Sequence, residues 1–156
     1  MQQSTTPTPI SSFTFTVLGK PAPQGSKRHV GKGVMVESSK RCKPWRQDVR
    51  HTAMELLPDG WYANMDKAIT LSCVFVFARP KNHFRTNGQL KPSAPKHCSG
   101  RIGDISKLVR AVEDAMTGVV YNDDAQIINP IAHRRFATDR EQPSPLITVT
   151  ALDSGT

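Results

Sequence analysis

No apolar run in this chain approaches the roughly 18–20 residues that a membrane-spanning helix requires, so no hydropathic span is expected. Cysteine is scarce. Cys42, Cys73 and Cys98 make an odd count with no CxxC pair. That fits reduced thiols and argues against a disulfide framework. His97-Cys98 has no second pair at zinc spacing, and the five histidines form neither an H-x-E nor an HExxH pattern. A zinc hydrolase or a histidine nucleophile therefore has little support. Residues 1–12 lack the basic-then-apolar order of a signal peptide and are rich in Gln, Ser, Thr and Pro. A disordered tail and a cytoplasmic location are the expectations.

Negative charge is also in short supply. Against 21 Lys and Arg stand 13 Asp and Glu, a formal charge of +8. Such a balance favours a polyanion, nucleic acid above all, as partner. The 156 residues suffice for one domain with its own core. We place that domain at residues 13–152, with a C-terminal tail at 153–156.

Periodicity supplies the elements. Phe13, Phe15 and Val17 alternate with Thr14, Thr16 and Leu18 as in a strand. Gly19 to Ser26 breaks regular structure, and Val34-Met35-Val36 suits a short strand. Trp45, Val49, Thr52, Ala53 and Leu56 recur at helical spacing behind Pro44, which predicts a helix over about 44–57. Ile69 to Phe77 is nearly all apolar, which predicts a central strand buried on both faces. The basic stretch from Asn82 to Arg101 has no periodicity, so it is either functional or disordered. A second helix is expected over about 104–117, with Gly118 as its stop. Ala125–Ile131 and Leu146–Leu152 complete the set as strands. The order implies an α+β fold: a single small domain with one mixed β-sheet packed against two main helices.

On the second helix Ile105, Leu108, Val109, Val112, Ala115 and Met116 form one stripe. Ser106, Lys107, Arg110, Glu113 and Asp114 form the polar face. Asp104 opens the helix, where a plain N-cap is as good a reading as a catalytic one. An Asp123-Asp124 pair follows one short turn after the helix ends. If a strand starts there, Asp124 and Gln126 point to one face and Asp123 and Ala125 to the other. Carboxylates on a cationic body suggest a divalent metal placed between them and phosphate oxygens.

The run from Asp104 through Asp114-Ala115-Met116, Gly118-Val119-Val120-Tyr121 and Asp123-Asp124-Ala125-Gln126-Ile127 resembles the RusA family of Holliday-junction resolvases. That family carries D-x-D-N-L-x-K, then D-A-L, a turn, and D-D-x-Q-[IV]. The early segment Gly19 to Arg28, with Lys43-Pro44-Trp45-Arg46, looks like phage and actinobacterial members. The resemblance spans about Phe13 to Leu152. It implies a RusA-like fold and a metal-dependent endodeoxyribonuclease that acts on branched DNA as a homodimer, with Mg²⁺ as cofactor and Mn²⁺ as a possible substitute. Asp104, Asp124 and Arg110 take the catalytic positions, Arg110 standing where the family has Lys. Asp104, Asp124 and Asp123 would hold the metal. Ser106 stands where the second Asp of D-x-D belongs, a weaker and uncharged donor that could still assist. DNA contacts are expected from Lys27, Arg28, Lys40, Arg41, Lys43, Arg46, Arg79, Lys81 and Lys107. A broader flap or fork nuclease, or a catalytically weakened nucleic-acid binder, is the alternative.

Overall fold

A computed structural model describes residues 9–24, 27–29, 35–37, 40–100 and 104–153, with 27–29 and 35–37 described as backbone. Four strands form one mixed sheet: β1 (Pro9–Thr16), β4 (Ala68–Phe77), β5 (Ile127–Phe136) and β6 (Leu146–Leu152), in the order β1-β6-β4-β5. A separate hairpin pairs β2 (Lys27–His29) with β3 (Met35–Glu37). Two helices, α1 (Cys42–Leu56) and α2 (Ile105–Met116), complete the α+β domain.

The alternating strands build one buried face. Phe15, Leu71, Cys73, Phe75, Ile147 and Val149 point into a core with Trp45, Val49, Leu108 and Val112 from the helices. The opposite face is lined with hydroxyls. Ser12 and Thr150 approach to 3.0 Å and Thr14 and Thr148 to 2.9 Å, while Thr70 and Ser72 sit on the same side of β4. β4 is therefore central but buried fully on one face for most of its length, its other positions being half-exposed until Val76. Its apolar run looked two-sided because Val74 and Val76 interrupt the alternation.

β4 and β5 run parallel, joined through α2. This crossover sets α2 across the core face and leads the chain from its C-terminal end through the turn at 117–126 into β5. Pro130 falls inside β5 and is tolerated because β5 is an edge strand, where a missing donor costs no ladder bond.

Several boundaries differ from those the sequence implies. β1 starts at Pro9, so residues 9–12 are strand paired with β6 and not tail. Pro44 is the third residue of α1 and not the first, which is still harmless because the first four helical N–H groups have no intrahelical partner. β5 starts at Ile127 and runs to Phe136. Val34 and residues 1–8 and 154–156 lie outside the described residues. Cys73 and Cys98 are buried thiols outside any disulfide. Among the described residues no helix is long and apolar enough to cross a membrane.

Candidate active site and nucleic-acid interface

The turn that follows α2 is held from several sides. Trp61 Nε1 donates to the Val120 carbonyl at 2.8 Å, and the buried Tyr121 hydroxyl donates to the Glu113 carbonyl at 2.6 Å. The Asn122 amide donates to Met65 O at 3.1 Å. Gly118, with φ of 84°, takes the left-handed conformation that lets the chain reverse, and its amide donates to Tyr121 O at 2.7 Å.

Asp123 and Asp124 do not open a strand. They enter a short 3-10 turn, Asp124–Gln126, with Asp123 as its N-cap. Asp123 Oδ1 accepts from the Ala125 amide at 2.8 Å, and Gln126 Oε1 accepts from the Asn122 and Asp123 amides, each at 2.9 Å. This is a reciprocal capping box. Gln126 Nε2 also donates to Met65 O and Lys67 O, both at 2.8 Å, tying the turn to the chain entering β4. The alternation expected for Asp123 and Asp124 fails because the capping box wins over extended pairing. Its spacing, an acid followed three residues later by Gln, was readable in the sequence.

The consequence is a division of labour. Asp123 is occupied by the turn, whereas Asp124 is exposed. The Asp124 carboxyl is raised above its ordinary pKa by the Asp123 side chain bonded to it, then by slight desolvation and by the charges of Asp123 and Asp114, with Arg110 opposing. Half-buried Glu113 is raised by desolvation, then by Asp124 and Asp114, and again Arg110 opposes. Glu113, Asp114, Asp123, Asp124 and Arg110 thus share one electrostatic neighbourhood over the second half of α2. Arg110 makes no ion pair within 4 Å among the described residues, so it is not spent on Asp114 or Glu113 as an ordinary helix-face pair.

Asp104 sits at the other end of α2, as its N-cap. Its backbone carbonyl accepts from Lys107 and Leu108, both at 3.0 Å, yet its side chain makes no cap bond. The usual reason for an acid at this position is absent, and the carboxylate is exposed and available. From Asp104 to Arg110 is six residues, about 9 Å along the axis. The charges that act on Asp124 are those of Asp123, Asp114 and Arg110, and Asp104 is not one of them. Among the described residues no three His, Cys, Asp or Glu form a group that could hold a metal. Ser106 and Lys107 are exposed in the first turn, where the Gln24 amide donates to Lys107 O at 3.1 Å. That bond ties the segment after β1 to the first turn of α2, and the side chains of Lys27 and Arg28 lie outside the described residues.

The expected DNA contacts divide. Lys40 and Arg41 are exposed at the entry to α1, and Lys81 is exposed in a short 3-10 turn, Lys81–His83. Lys43 and Arg46 line a groove between α1 and α2 together with Gln47, Arg50, Asp114 and Ala115. Arg50 donates from Nη1 to Thr117 O at 3.0 Å, at the C-cap of α2. Arg79 has a structural duty. It donates to Pro95 O at 2.7 Å, approaches His83 Nδ1 at 3.4 Å and lies 4.4 Å over the Phe136 ring. The stretch after it is ordered by a Phe84–Leu90 bridge and a 2.7 Å bond from the Arg85 amide to Gln89 O.

Exposed carboxylates and a guanidinium with no ion pair among the described residues, beside a cationic groove, make a surface suited to phosphodiester chemistry. The family comparison agrees, since residues 19–150 match the family model described as endodeoxyribonuclease RusA. The chain belongs to the RusA endodeoxyribonuclease family, and is by that membership an endonuclease. No curated protein sequence matches it.

Proposed function

We propose that this family member resolves Holliday junctions or other branched DNA by paired, Mg²⁺-dependent phosphodiester hydrolysis, with Mn²⁺ able to substitute. The observation that carries the reading is the release of Asp124: Asp123 and Gln126 do the structural work of the turn, and Asp124 is left exposed beside Arg110. The donor chemistry fits Mg²⁺, a hard cation that is commonly held through one or two carboxylates with water and substrate phosphate completing its shell. Asp124 would hold it with Asp123 assisting, and Asp104 with Ser106 beside it, at the opposite end of α2, would offer a separate carboxylate. Bound there, the ion supplies an activated water and neutralises charge on the scissile phosphate. Arg110 offers a planar fork to two phosphate oxygens at once, which a Lys cannot do. Lys27, Arg28, Lys40, Arg41, Lys43, Arg46, Lys81 and Lys107 supply backbone contacts, each adding about one unit to the log–log salt slope of binding. Symmetric cuts on a four-way junction need two sites related by a two-fold axis, hence a homodimer acting in the cytoplasm.

One observation favours a second reading, a weakened enzyme that chiefly binds nucleic acid. The described acids form no three-membered group, and Ser106 removes a carboxylate from the position beside Asp104. A synthetic four-way junction separates the two. Nicking that needs Mg²⁺, stops with chelator and disappears in Asp124→Asn supports the enzyme. Binding without nicking at any Mg²⁺ or Mn²⁺ concentration supports the binder. Ser106→Asp is expected to lower the Mg²⁺ concentration at half-maximal cleavage.

A further inference from the structure

α1 separates its residues by chemistry. Cys42, Trp45, Val49 and Ala53 face the core, while Lys43, Arg46, Gln47 and Arg50 face α2 across a groove of about 260 Å³. Arg50 closes one end through its bond to Thr117 O. Lys43 and Arg46 have no hydrogen bond or ion pair with any described group. The first turn of α1 contains no acid, and Arg41 at its cap and Lys43 within it add positive charge to the end of the helix that already favours anions. These cations repel one another until an anion arrives. The groove is smaller than the roughly 300–1,000 Å³ of a small-molecule site. No aromatic lines it, so it lacks the platform on which a base would stack. Asp114 is the one acid in its wall, and Asp114 also acts on the Asp124 carboxyl. Through Asp114 and the Arg50 bond to Thr117 O, the groove meets the end of α2 from which the turn carrying Asp124 departs.

We propose that this groove binds one backbone phosphate of the DNA next to the scissile one, and so sets which phosphodiester reaches Asp124. The inference rests on the endonuclease reading. Lys43 and Arg46 take the phosphate, Gln47 is within the same wall, and Asp114 repels it from the carboxylate end. The strand is thereby held in a single register, and the cut falls at one position.

The test uses four-way junctions in which single phosphates near the nick are replaced, one at a time, by uncharged methylphosphonates. With the wild-type protein one position is expected to raise KM about tenfold while kcat at saturation holds. In Lys43→Ala/Arg46→Ala the KM on unmodified DNA rises to a similar degree, the same methylphosphonate adds nothing further, and cuts spread over neighbouring phosphates. Lys43→Gln alone, at an exposed position, gives the same pattern in smaller measure should the double variant melt early. Additive losses at every position, or an unchanged KM and cut site in the variants, would overturn the proposal. If the wild-type protein cuts no junction, the same substitutions are read by binding affinity. Loss of coupling between groove and phosphate there sinks the groove, whereas retained coupling sinks only the nuclease reading.

Discussion

The turn from Thr117 to Gln126 and the segment from Arg79 to Gly100 both carry charges that suggest function, and they use them in opposite ways. In the turn, backbone groups, Trp61, Tyr121 and Gln126 satisfy the geometry, and Asp124 is left over. In the longer segment the most prominent cation is consumed, because Arg79 holds Pro95 and Phe136 in place. The lesson is that a charged residue becomes a candidate for chemistry when other groups have already done its structural work. The sharpest way to break this contrast is to compare Asp124→Asn with Arg79→Ala. Asp124→Asn is expected to cut junction cleavage by about a thousandfold or more, the several kcal/mol that charge stabilisation supplies, with melting temperature and DNA affinity nearly unchanged. Arg79→Ala is expected to lose about 1–3 kcal/mol of stability in urea unfolding, from a charged hydrogen bond and a cation–π contact, and to keep kcat. A kcat loss in Arg79→Ala matching that of Asp124→Asn would erase the distinction.

Between those extremes lies Gln126. Its side chain accepts two amides and donates to two carbonyls, so it positions Asp124 without touching substrate. Gln126→Ala should destabilise the fold by about 2–3 kcal/mol, since four bonds are lost and partly buried groups are left unpaired. Cleavage should fall too, because Asp124 is no longer fixed. Raising Mg²⁺ should recover part of the activity in Gln126→Ala and none in Asp124→Asn, a split that a purely structural defect would not produce.

The sequence was most legible where one periodicity ran unopposed. α2 ends within a residue of its expected bounds, and β6 occupies Leu146–Leu152 as read, because apolar spacing, a following glycine and Thr alternation all agree. Legibility failed where a local side-chain bond competed with the pattern. Asp123-Asp124-Ala125-Gln126 has the look of a strand start, but a capping box bends it. It failed again where tertiary contacts decide a role. Nothing local distinguishes Arg79, which is tied down, from Arg46, which lines an open groove. Nor could spacing show that Arg50 would reach the α2 terminus sixty-seven residues away. Of the candidate site, Asp124 and Arg110 share one electrostatic neighbourhood with Glu113 and Asp114 from the polar face of α2.

The smallest effect, and the most diagnostic of sign, is the response of stability to pH. At the end of β5, Arg135 grips Glu141 through two 2.6 Å bonds, and this holds the Glu141 carboxyl at about 2, below its ordinary 4.5. A lowered acid contributes stability above its unfolded value, and the contribution is lost as pH falls from about 4.5 toward about 2. Glu113 is the reverse case. Desolvation and its acidic neighbours raise it above 4.5, so the native state prefers it protonated, and its contribution is present below that value and lost as pH rises through the raised one. Glu141→Gln should therefore flatten the acid side of the stability profile, and Glu113→Gln should flatten the side above 4.5 and gain stability near neutrality. Because Asp124 is among the charges that raise Glu113, Asp124→Asn should bring the Glu113 titration, followed by carboxyl NMR shifts, back toward its ordinary range. If both glutamine variants changed the profile with the same sign, or if Glu113 titrated identically with and without the Asp124 charge, the acids at the end of α2 would not be one electrostatic unit, and the neighbourhood assigned to Asp124 would have to be redrawn.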